Sequence, residues 1–261
     1  MSRELLFYRA GDGHIAVGRF GTDAGYTELL GGGLAAGWTH IVPVGRELLF
    51  YRAGDGVTNA GRIEQDGHFT QLSATTLAAG WTHVVAVGRE LLFYRISDGH
   101  IATGRLDNAG TYTDLHSGGI SGTWKHVVPV GREVLCYRDV DGTFVTGNVD
   151  VKGNFTNLDS GGIAAGWTHI VPLGRELLFY RAGDGRIATG RLDLDGAFAD
   201  LASGGLAATW THIISVGREL LFYRAGDGSA AAGRLDTEGI YTDLADLGFA
   251  PGWSTIIATT A

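Results

Sequence analysis

The chain has 261 residues, of which 44% are hydrophobic and 18% charged, and its formal net charge is −8. This acidic balance, without any lysine or arginine run, argues against a nucleic-acid partner, because proteins that bind nucleic acid present a basic face to the phosphates. No apolar stretch approaches the roughly 20 residues that a membrane-spanning helix needs, so we predict no membrane span.

Internal repetition dominates the sequence. Tryptophans recur every 43 residues, at positions 38, 81, 124, 167, 210 and 253, and the residues around each one are nearly the same. Self-similarity at such a period is the signature of an architecture that copies one supersecondary unit along the chain. The repeats run from one end of the sequence to the other, so we predict a single domain over residues 1–261.

Four short apolar runs make up each repeat, read in chain order from Trp38. The first is Thr-His-Ile-Val-Pro-Val, the second is Glu-Leu-Leu-Phe-Tyr-Arg from Glu47, the third is Val-Thr-Asn-Ala-Gly-Arg-Ile from Val57, and the fourth is Phe-Thr-Gln-Leu from Phe69. Runs this short, rich in β-branched and aromatic residues and separated by Gly and Asp, are typical of strands. Four strands in a unit of this length correspond to one blade of a β-propeller.

The two ends of the chain complete each other. The sequence begins with the second run of a repeat and ends, after Trp253, on the first run of one. We therefore predict an all-β, six-bladed β-propeller of 43-residue, four-stranded repeats, whose ring is closed where the C-terminal strand joins the three N-terminal strands. The predicted blades cover residues 38–73, 81–116, 124–159, 167–202, 210–245, and 253–259 together with 4–30.

The single cysteine and the N-terminus bear on where the protein is made. Cys136 stands where most other repeats have phenylalanine, so it is expected to be a buried hydrophobe, and a lone cysteine excludes an intrachain disulfide. The N-terminal Met-Ser-Arg-Glu leads directly into a predicted strand and lacks the apolar core of a signal peptide. We therefore expect synthesis in the cytoplasm, with export by another route left open.

An Arg-Glu pair begins every second run, at 3–4, 46–47, 89–90, 132–133, 175–176 and 218–219. Each pair falls at the predicted turn between the first two strands of its repeat. Charged pairs at such turns most often only solvate a hairpin, and this is the role we predict for them.

Four residue types are expected to meet on one face of the propeller, because strand direction alternates along each repeat. Trp38 and His40 begin the first strand, Arg52 ends the second, and Asp55 lies in the next turn. Trp, Arg and Asp recur in all six repeats, whereas the histidine becomes Thr255 in the last. The predicted ligand-binding residues are Trp38, Trp81, Trp124, Trp167, Trp210 and Trp253; Arg9, Arg52, Arg95, Arg138, Arg181 and Arg224; Asp12, Asp55, Asp98, Asp141, Asp184 and Asp227; and His40, His83, His126, His169 and His212.

This combination suits a sugar, because an indole stacks on the apolar face of a pyranose while arginine and aspartate donate to and accept from its hydroxyls. We therefore predict a multivalent carbohydrate-binding protein with five or six similar shallow sites, on top of or between neighbouring blades. Engagement of several weak sites would raise the apparent affinity by about 10²- to 10⁴-fold. A structural role is the alternative for each residue type: the tryptophan as a wedge between blades, the histidine as a hydrogen-bonding group, and the arginine and aspartate as a pair that holds the hairpin.

Residues 31–52, Gly-Gly-Gly-Leu-Ala-Ala-Gly-Trp-Thr-His-Ile-Val-Pro-Val-Gly-Arg-Glu-Leu-Leu-Phe-Tyr-Arg, resemble the glycine-tryptophan segment and following strands of tachylectin-type β-propeller lectins. The resemblance implies glycan partners, N-acetylated sugars among them, at equivalent sites between neighbouring blades. It is carried by the Gly-Trp pairs at 37–38, 80–81, 166–167 and 252–253, whereas Thr123 and Thr209 replace the glycine in two repeats. That family is typically five-bladed.

The sequence also bears on two other classes of function. The sequence has no Gly-x-Ser-x-Gly, His-Glu-x-x-His or phosphate-loop motif, and its repeated polar residues lack the asymmetry that catalysis uses, so we predict a protein that is not an enzyme and has no cofactor or metal. The alternative to a lectin is a protein-interaction or structural scaffold that binds no sugar. A protein partner favours one sector of a propeller, whereas the repeats differ chiefly in a turn and the strand after it, at 57–59, 140–144 and 229–231, and keep the Trp, Arg and Asp in all six copies. This persistence favours a ligand that is bound in the same way by every repeat.

Overall fold

A computed structural model describes residues 4–21 and 24–259, so Arg3 of the first predicted charged pair lies outside the described residues. Within these ranges the chain forms 24 β-strands and no helix. In chain order they are β1 (Glu4–Tyr8), β2 (His14–Phe20), β3 (Tyr26–Gly33), β4 (His40–Val44), β5 (Glu47–Tyr51), β6 (Val57–Ile63), β7 (Phe69–Thr76), β8 (His83–Val87), β9 (Glu90–Arg95), β10 (His100–Leu106), β11 (Tyr112–Gly119), β12 (His126–Val130), β13 (Glu133–Tyr137), β14 (Thr143–Val149), β15 (Phe155–Gly162), β16 (His169–Leu173), β17 (Glu176–Tyr180), β18 (Arg186–Leu192), β19 (Phe198–Gly205), β20 (His212–Val216), β21 (Glu219–Tyr223), β22 (Ser229–Leu235), β23 (Tyr241–Gly248) and β24 (Thr255–Thr259).

The strands form six antiparallel sheets of four strands each, one for every 43-residue repeat. Five sheets are consecutive in sequence, and the sixth has the order β24-β1-β2-β3. In that sheet β24 pairs with β1 in a register that sets Thr255 opposite Tyr8 and Thr259 opposite Glu4. The protein is an all-β, six-bladed β-propeller, and the predicted joining of the C-terminal strand to the N-terminal three is confirmed.

The sheets fall into two compact units of three, one with β24-β1-β2-β3, β4–β7 and β8–β11, the other with β12–β15, β16–β19 and β20–β23. Within each unit the first strands of successive sheets contact each other. The fourth strand of each sheet is longer than predicted: β7 ends at Thr76 and so includes part of the connector that leads to the next tryptophan. The single domain over residues 1–261 stays a prediction.

The second strand of each sheet is buried along its whole length, which explains its apolar character on both faces. Leu48 and Phe50 pack on one side of their sheet in a cluster with Trp38, whereas Leu49 and Tyr51 pack on the other side with Trp81 of the next repeat. This is the alternation of a strand covered on both faces. Burying each of these large side chains contributes about 1.5–3 kcal/mol, so the second strand anchors the two layers beside it.

The Arg-Glu pairs do more than solvate a hairpin. Glu176 is only 6% exposed, and its Oε1 accepts a hydrogen bond from Arg191 Nη2 at 2.8 Å while its Oε2 accepts one from Arg218 Nη1 at 3.1 Å. Arg218 belongs to the following repeat, and Arg175 reaches Glu133 of the repeat before it in the same way. Arg175 and Arg218 thus each join two sheets instead of pairing with their neighbours in sequence, whereas Arg46 lies 4.0 Å from Glu64 of its own repeat.

Candidate functional site

The structure brings three of the four predicted residue types together. Arg52 Nη2 lies 2.7 Å from Asp55 Oδ2, Arg52 Nε donates to Asp55 Oδ1 at 2.9 Å, and Arg52 Cζ lies 5.9 Å from the centre of the Trp38 ring. The other repeats repeat the arrangement: Arg9, Asp12 and Trp253; Arg95, Asp98 and Trp81; Arg138, Asp141 and Trp124; Arg181, Asp184 and Trp167; Arg224, Asp227 and Trp210.

Their polar groups are engaged with each other. The hydrogen bond from Arg95 lowers the pKa of Asp98 to about 2, and the backbone N–H of His100 adds to this effect. Five of the six tryptophans are only 3–5% exposed, so most of each indole is buried. The arrangement therefore stabilises the hairpin in every repeat, and a ligand-binding role for these residues stays a prediction.

The histidines lie apart from this group. His40 Nε2 is 3.2 Å from the backbone oxygen of Thr82 in the next repeat, and because a carbonyl only accepts, Nε2 carries the hydrogen. His126 and His169 make the same bond to Trp167 and Thr211. His83 and His212 lie against the tyrosine rings of their own repeats, 5.5 and 5.6 Å between ring centres. Burial lowers the pKa of His40 and of His169, so both favour the neutral form.

The repeats differ in what covers the indole. The imidazole of His14 stacks on Trp253 with 5.6 Å between ring centres and 15° between planes, and His100 stacks on Trp81 at 5.5 Å and 16°. Serine, Ser229, stands at this position in the sheet of β20–β23. Trp210 of that sheet is partly exposed, unlike the other five tryptophans.

A cavity of about 550 Å³ opens beside Trp210. Its lining residues are Gly205, Leu206, Ala207, Trp210, Phe222, Ala231, Tyr241, Asp243, Leu244, Ala245 and Asp246. The equivalent cavity beside Trp38 has only about 90 Å³, and there Val57 and Asn59 stand in place of Ser229 and Ala231. Smaller side chains on the third strand thus accompany the larger opening.

Two contacts hold the floor of this cavity in place. The hydroxyl of Tyr180 donates to the Ala207 carbonyl at 3.0 Å and accepts from the backbone N–H of Trp210 at 3.1 Å, which ties the connector to the sheet before it. Tyr241, which also lines the cavity, places its ring edge-on to Phe222, with 5.7 Å between ring centres. A Cβ on Gly233 would lie 2.2 Å from the Tyr241 hydroxyl, so this ring position requires glycine beneath it.

The sheet of β20–β23 and the connector that leads to it also contain a partly buried tyrosine bonded to a carboxylate and a strained backbone position. Burial, followed by its hydrogen bond to Asp243, raises the pKa of the Tyr241 hydroxyl above its usual value, so the tyrosine donates to the carboxylate. Thr209, next to Trp210, has a φ of 74°, a left-handed conformation that glycine adopts at the equivalent positions 37, 80, 166 and 252. A β-branched residue in this region stores about 1–3 kcal/mol of strain, and such strain often marks functional sites.

Sequence reasoning selected Trp210 but missed the remaining lining residues. Two signals pointed to them: the repeats diverge at 229–231, and Asp246 stands where the other repeats have glycine, alanine or serine. Across residues 4–21 and 24–259 no group of three or more His, Cys, Asp or Glu residues is arranged to hold a metal ion. In the described part of the chain no helix is long and apolar enough to span a membrane.

Comparison with known proteins gives a likeness of fold. No protein-family model matches the chain, and no curated protein sequence matches it. A protein from Bacteroides uniformis, described provisionally as a 6-phosphogluconolactonase, is 14% identical with a TM-score of 0.67, over 99% of each chain. The periplasmic gluconolactonase of Pseudomonas aeruginosa is 14% identical with a TM-score of 0.64, over 100% of this chain and 99% of the other. A chain of a nidogen–laminin complex is 15% identical with a TM-score of 0.60, over 99% of this chain and 98% of that one.

These structures correct one prediction. The inference that the protein is not an enzyme is wrong, because propellers of the same fold are named as gluconolactonases and the repeated architecture therefore does not argue against catalysis. At such low identity the likeness shows the fold alone. The resemblance to tachylectin-type lectins stays a prediction.

Proposed function

We propose that this propeller is an interaction scaffold whose binding is concentrated in one sector, at the cavity beside Trp210. The cavity of about 550 Å³ is the observation that carries the proposal. Its size falls within the range of about 300–1,000 Å³ that is usual for ligand pockets. Six equal lectin sites are less well supported, because the Arg-Asp pairs of the repeats are engaged with each other.

The lining supports recognition of a partner's side chain. Aromatic residues in a recess are typical anchors of binding energy, since they offer a large rigid area that loses little conformational entropy. Trp210 is partly exposed, so an inserted group can reach its ring from the outside, whereas Phe222, which also lines the cavity, is only 1% exposed. The surrounding strands give this recess a rigid frame.

The test is selection of peptides from a displayed library on the native protein and on Ser229→His. The substitution restores the histidine that His14 and His100 provide in other repeats, so it is expected to fold and to cover Trp210. Selected peptides should bind Ser229→His at least about tenfold more weakly, the loss of roughly one good contact. The matched control is Val57→His, the same change in the β4–β7 sheet, which should leave binding unchanged.

Two outcomes would overturn the proposal. Peptide binding that is equal on the native protein and on Ser229→His, or the failure to select any peptide, would show that the cavity is not an interaction site. A dense glycan array, probed in parallel, covers the lectin hypothesis: glycan binding with similar sites in five or six repeats would favour a lectin instead.

A second candidate is hydrolysis of a sugar-derived lactone, favoured by the fold shared with proteins named as gluconolactonases. Asp243 and Asp246 lie at an aromatic cavity, where one carboxylate would accept a proton from a water molecule as the water oxygen attacks the lactone carbonyl. The resulting carboxyl would return that proton to the ring oxygen as the ring C–O bond breaks, which leaves the open hydroxy acid. A pH-stat assay with glucono-1,5-lactone tests it. Asp243→Asn should lower the rate of the native protein about 100-fold or more. If the native protein hydrolyses the lactone no faster than the lactone hydrolyses spontaneously, this activity is excluded.

A further inference from the structure

The cavity beside Trp210 combines aromatic rings with negative charge. Trp210, Phe222 and Tyr241 supply the rings, and Asp243 and Asp246 supply two carboxylates. Among the described residues that line it, none is basic. Arg224 lies over Trp210 from outside this lining, 5.7 Å from the ring centre, but its guanidinium is paired with Asp227 at 2.8 Å. The Asp243 carboxylate accepts a hydrogen bond from the Tyr241 hydroxyl, but an ionised carboxylate has about four lone-pair sites, so Asp243 and Asp246 can both still accept from a cation that enters.

The chain itself shows what kind of group an equivalent indole accepts. In the sheets of β24-β1-β2-β3 and β8–β11, a planar nitrogen-containing ring, the imidazole of His14 or His100, lies nearly parallel to the tryptophan. Ser229 leaves this place without a ring in the sheet of β20–β23. A ligand with a flat, nitrogen-rich group would restore the contact that two other repeats make internally.

We propose that this cavity binds the guanidinium group of an arginine in a basic peptide, stacked on Trp210 and paired with Asp243 and Asp246. The inference rests on the proposed interaction function and names the partner's chemistry. A guanidinium is planar, stacks on aromatic faces and offers five N–H donors in a fork that matches carboxylates, whereas the ammonium of lysine is a compact point charge.

Two further observations support an arginine-bearing peptide. Leu244 lies on the lining and is 39% exposed, so it offers an apolar contact for the methylene stem of the side chain. The formal net charge of −8 attracts basic segments and speeds their encounter with the protein. Asp246 is peculiar to this repeat, so the two-carboxylate arrangement is not reproduced in the others.

The first experiment is a titration of the protein with N-acetylarginine amide. Binding is detected through the indole N–H signals of the six tryptophans in NMR spectra. The signal of Trp210, assigned with Trp210→Phe, should shift while the others stay in place. N-acetylcitrulline amide has the same shape without the charge and should bind at least about tenfold more weakly. N-acetyllysine amide, which is charged but not planar, should also bind more weakly.

Variants test the same contacts from the side of the protein. Asp243→Asn combined with Asp246→Asn should weaken binding at least about tenfold. Ser229→His should abolish the shift of Trp210 without removing a charge. His100→Ser combined with Ser117→Asp is the matched gain of function. It uncovers Trp81 beside Ala102 and Asp114, the counterparts of Ala231 and Asp243, and supplies the counterpart of Asp246, so the Trp81 signal should begin to shift.

The outcomes separate this inference from the function on which it rests. Equal binding of the citrulline compound, a shift of all six indole signals, or no shift at all would overturn the guanidinium site. Peptides that bind through the cavity but contain no arginine would overturn it too, while leaving the interaction function in place. If no peptide is selected that binds through the cavity, both the interaction function and the guanidinium site are overturned.

Discussion

Arg89 Nη2 lies 3.0 Å from Oε2 of Glu47, an ion pair between two residues 42 positions apart. Glu47 is 3% exposed, and Arg89 also donates to the Leu106 carbonyl at 2.9 Å, so the guanidinium links its own sheet to the one before it. The repeat length and this separation differ by a single residue, which is why an Arg-Glu neighbour pair in sequence becomes a contact between sheets in space.

Glu47→Gln is expected to lower the free energy of unfolding by about 2 kcal/mol. Removing one charge leaves the other without its partner, but the side chain of Arg89 is 38% exposed and can be solvated in part, so the loss is smaller than for a fully buried pair. Urea unfolding monitored by tryptophan fluorescence measures it. Glu64→Gln is the control, because Glu64 pairs with Arg62 at the surface and its loss should cost less than about 0.5 kcal/mol. Equal effects of the two changes would contradict a structural role for Glu47.

Thr209→Gly should stabilise the protein by about 1 kcal/mol, because glycine adopts the positive φ at this position without strain. Part of the gain is offset by the greater conformational freedom of glycine in the unfolded chain. The melting temperature measures the change. The matched reverse variant is Gly166→Thr, which places the same strain in an equivalent connector and should destabilise; a lower melting temperature for Thr209→Gly would refute the strain.

Stability should fall on acidification from about pH 7 to pH 5 through His40 and His169. Burial lowers the pKa of both in the folded state, so the unfolded chain, with an ordinary histidine pKa of about 6.5, binds the proton more readily. The contribution of these two histidines to the stability of the folded state is therefore fully present above the ordinary histidine pKa, and it is lost as the pH decreases below that value. The paired aspartates act in a separate window, since Asp12 and Asp98 have a pKa of about 2.

The double variant His40→Thr and His169→Thr tests this assignment, because threonine already occupies the equivalent position at Thr255. Urea unfolding at a series of pH values should show a shallower decrease for the double variant than for the native protein. An unchanged slope would place the pH dependence elsewhere.

Cys136 should not react with a thiol reagent in the folded protein at mildly alkaline pH. Its side chain is fully buried, and burial raises the pKa of the thiol to about 12, so neither access nor the reactive thiolate is available. Ellman's reagent should give a full signal only after unfolding in concentrated urea. Rapid modification without unfolding would show that β13 is not buried as described.

The blade architecture was predictable because it follows from patterns among residues that are near each other in sequence. The strand from Glu47 to Tyr51 is apolar on both faces, and the glycines and aspartates around it mark turns, so period and alternation together indicated a blade. Trp38, Arg52 and Asp55 were expected on one face and do meet there. Their engagement with each other depends on side-chain geometry, which alternation along a strand does not define.

The amino-acid sequence by itself determined the repeat, the four strands of each unit and the joining of β24 to β1, because turn chemistry and hydrophobic alternation are local properties that act the same way in every copy. Only the tertiary structure decided that Arg89 reaches Glu47 of the preceding repeat and that a large cavity opens beside Trp210. These features depend on side-chain volumes and distances between neighbouring sheets. A change from Val57 and Asn59 to Ser229 and Ala231 is small in sequence, yet it accompanies a cavity several times larger because packed sheets do not collapse to fill the space.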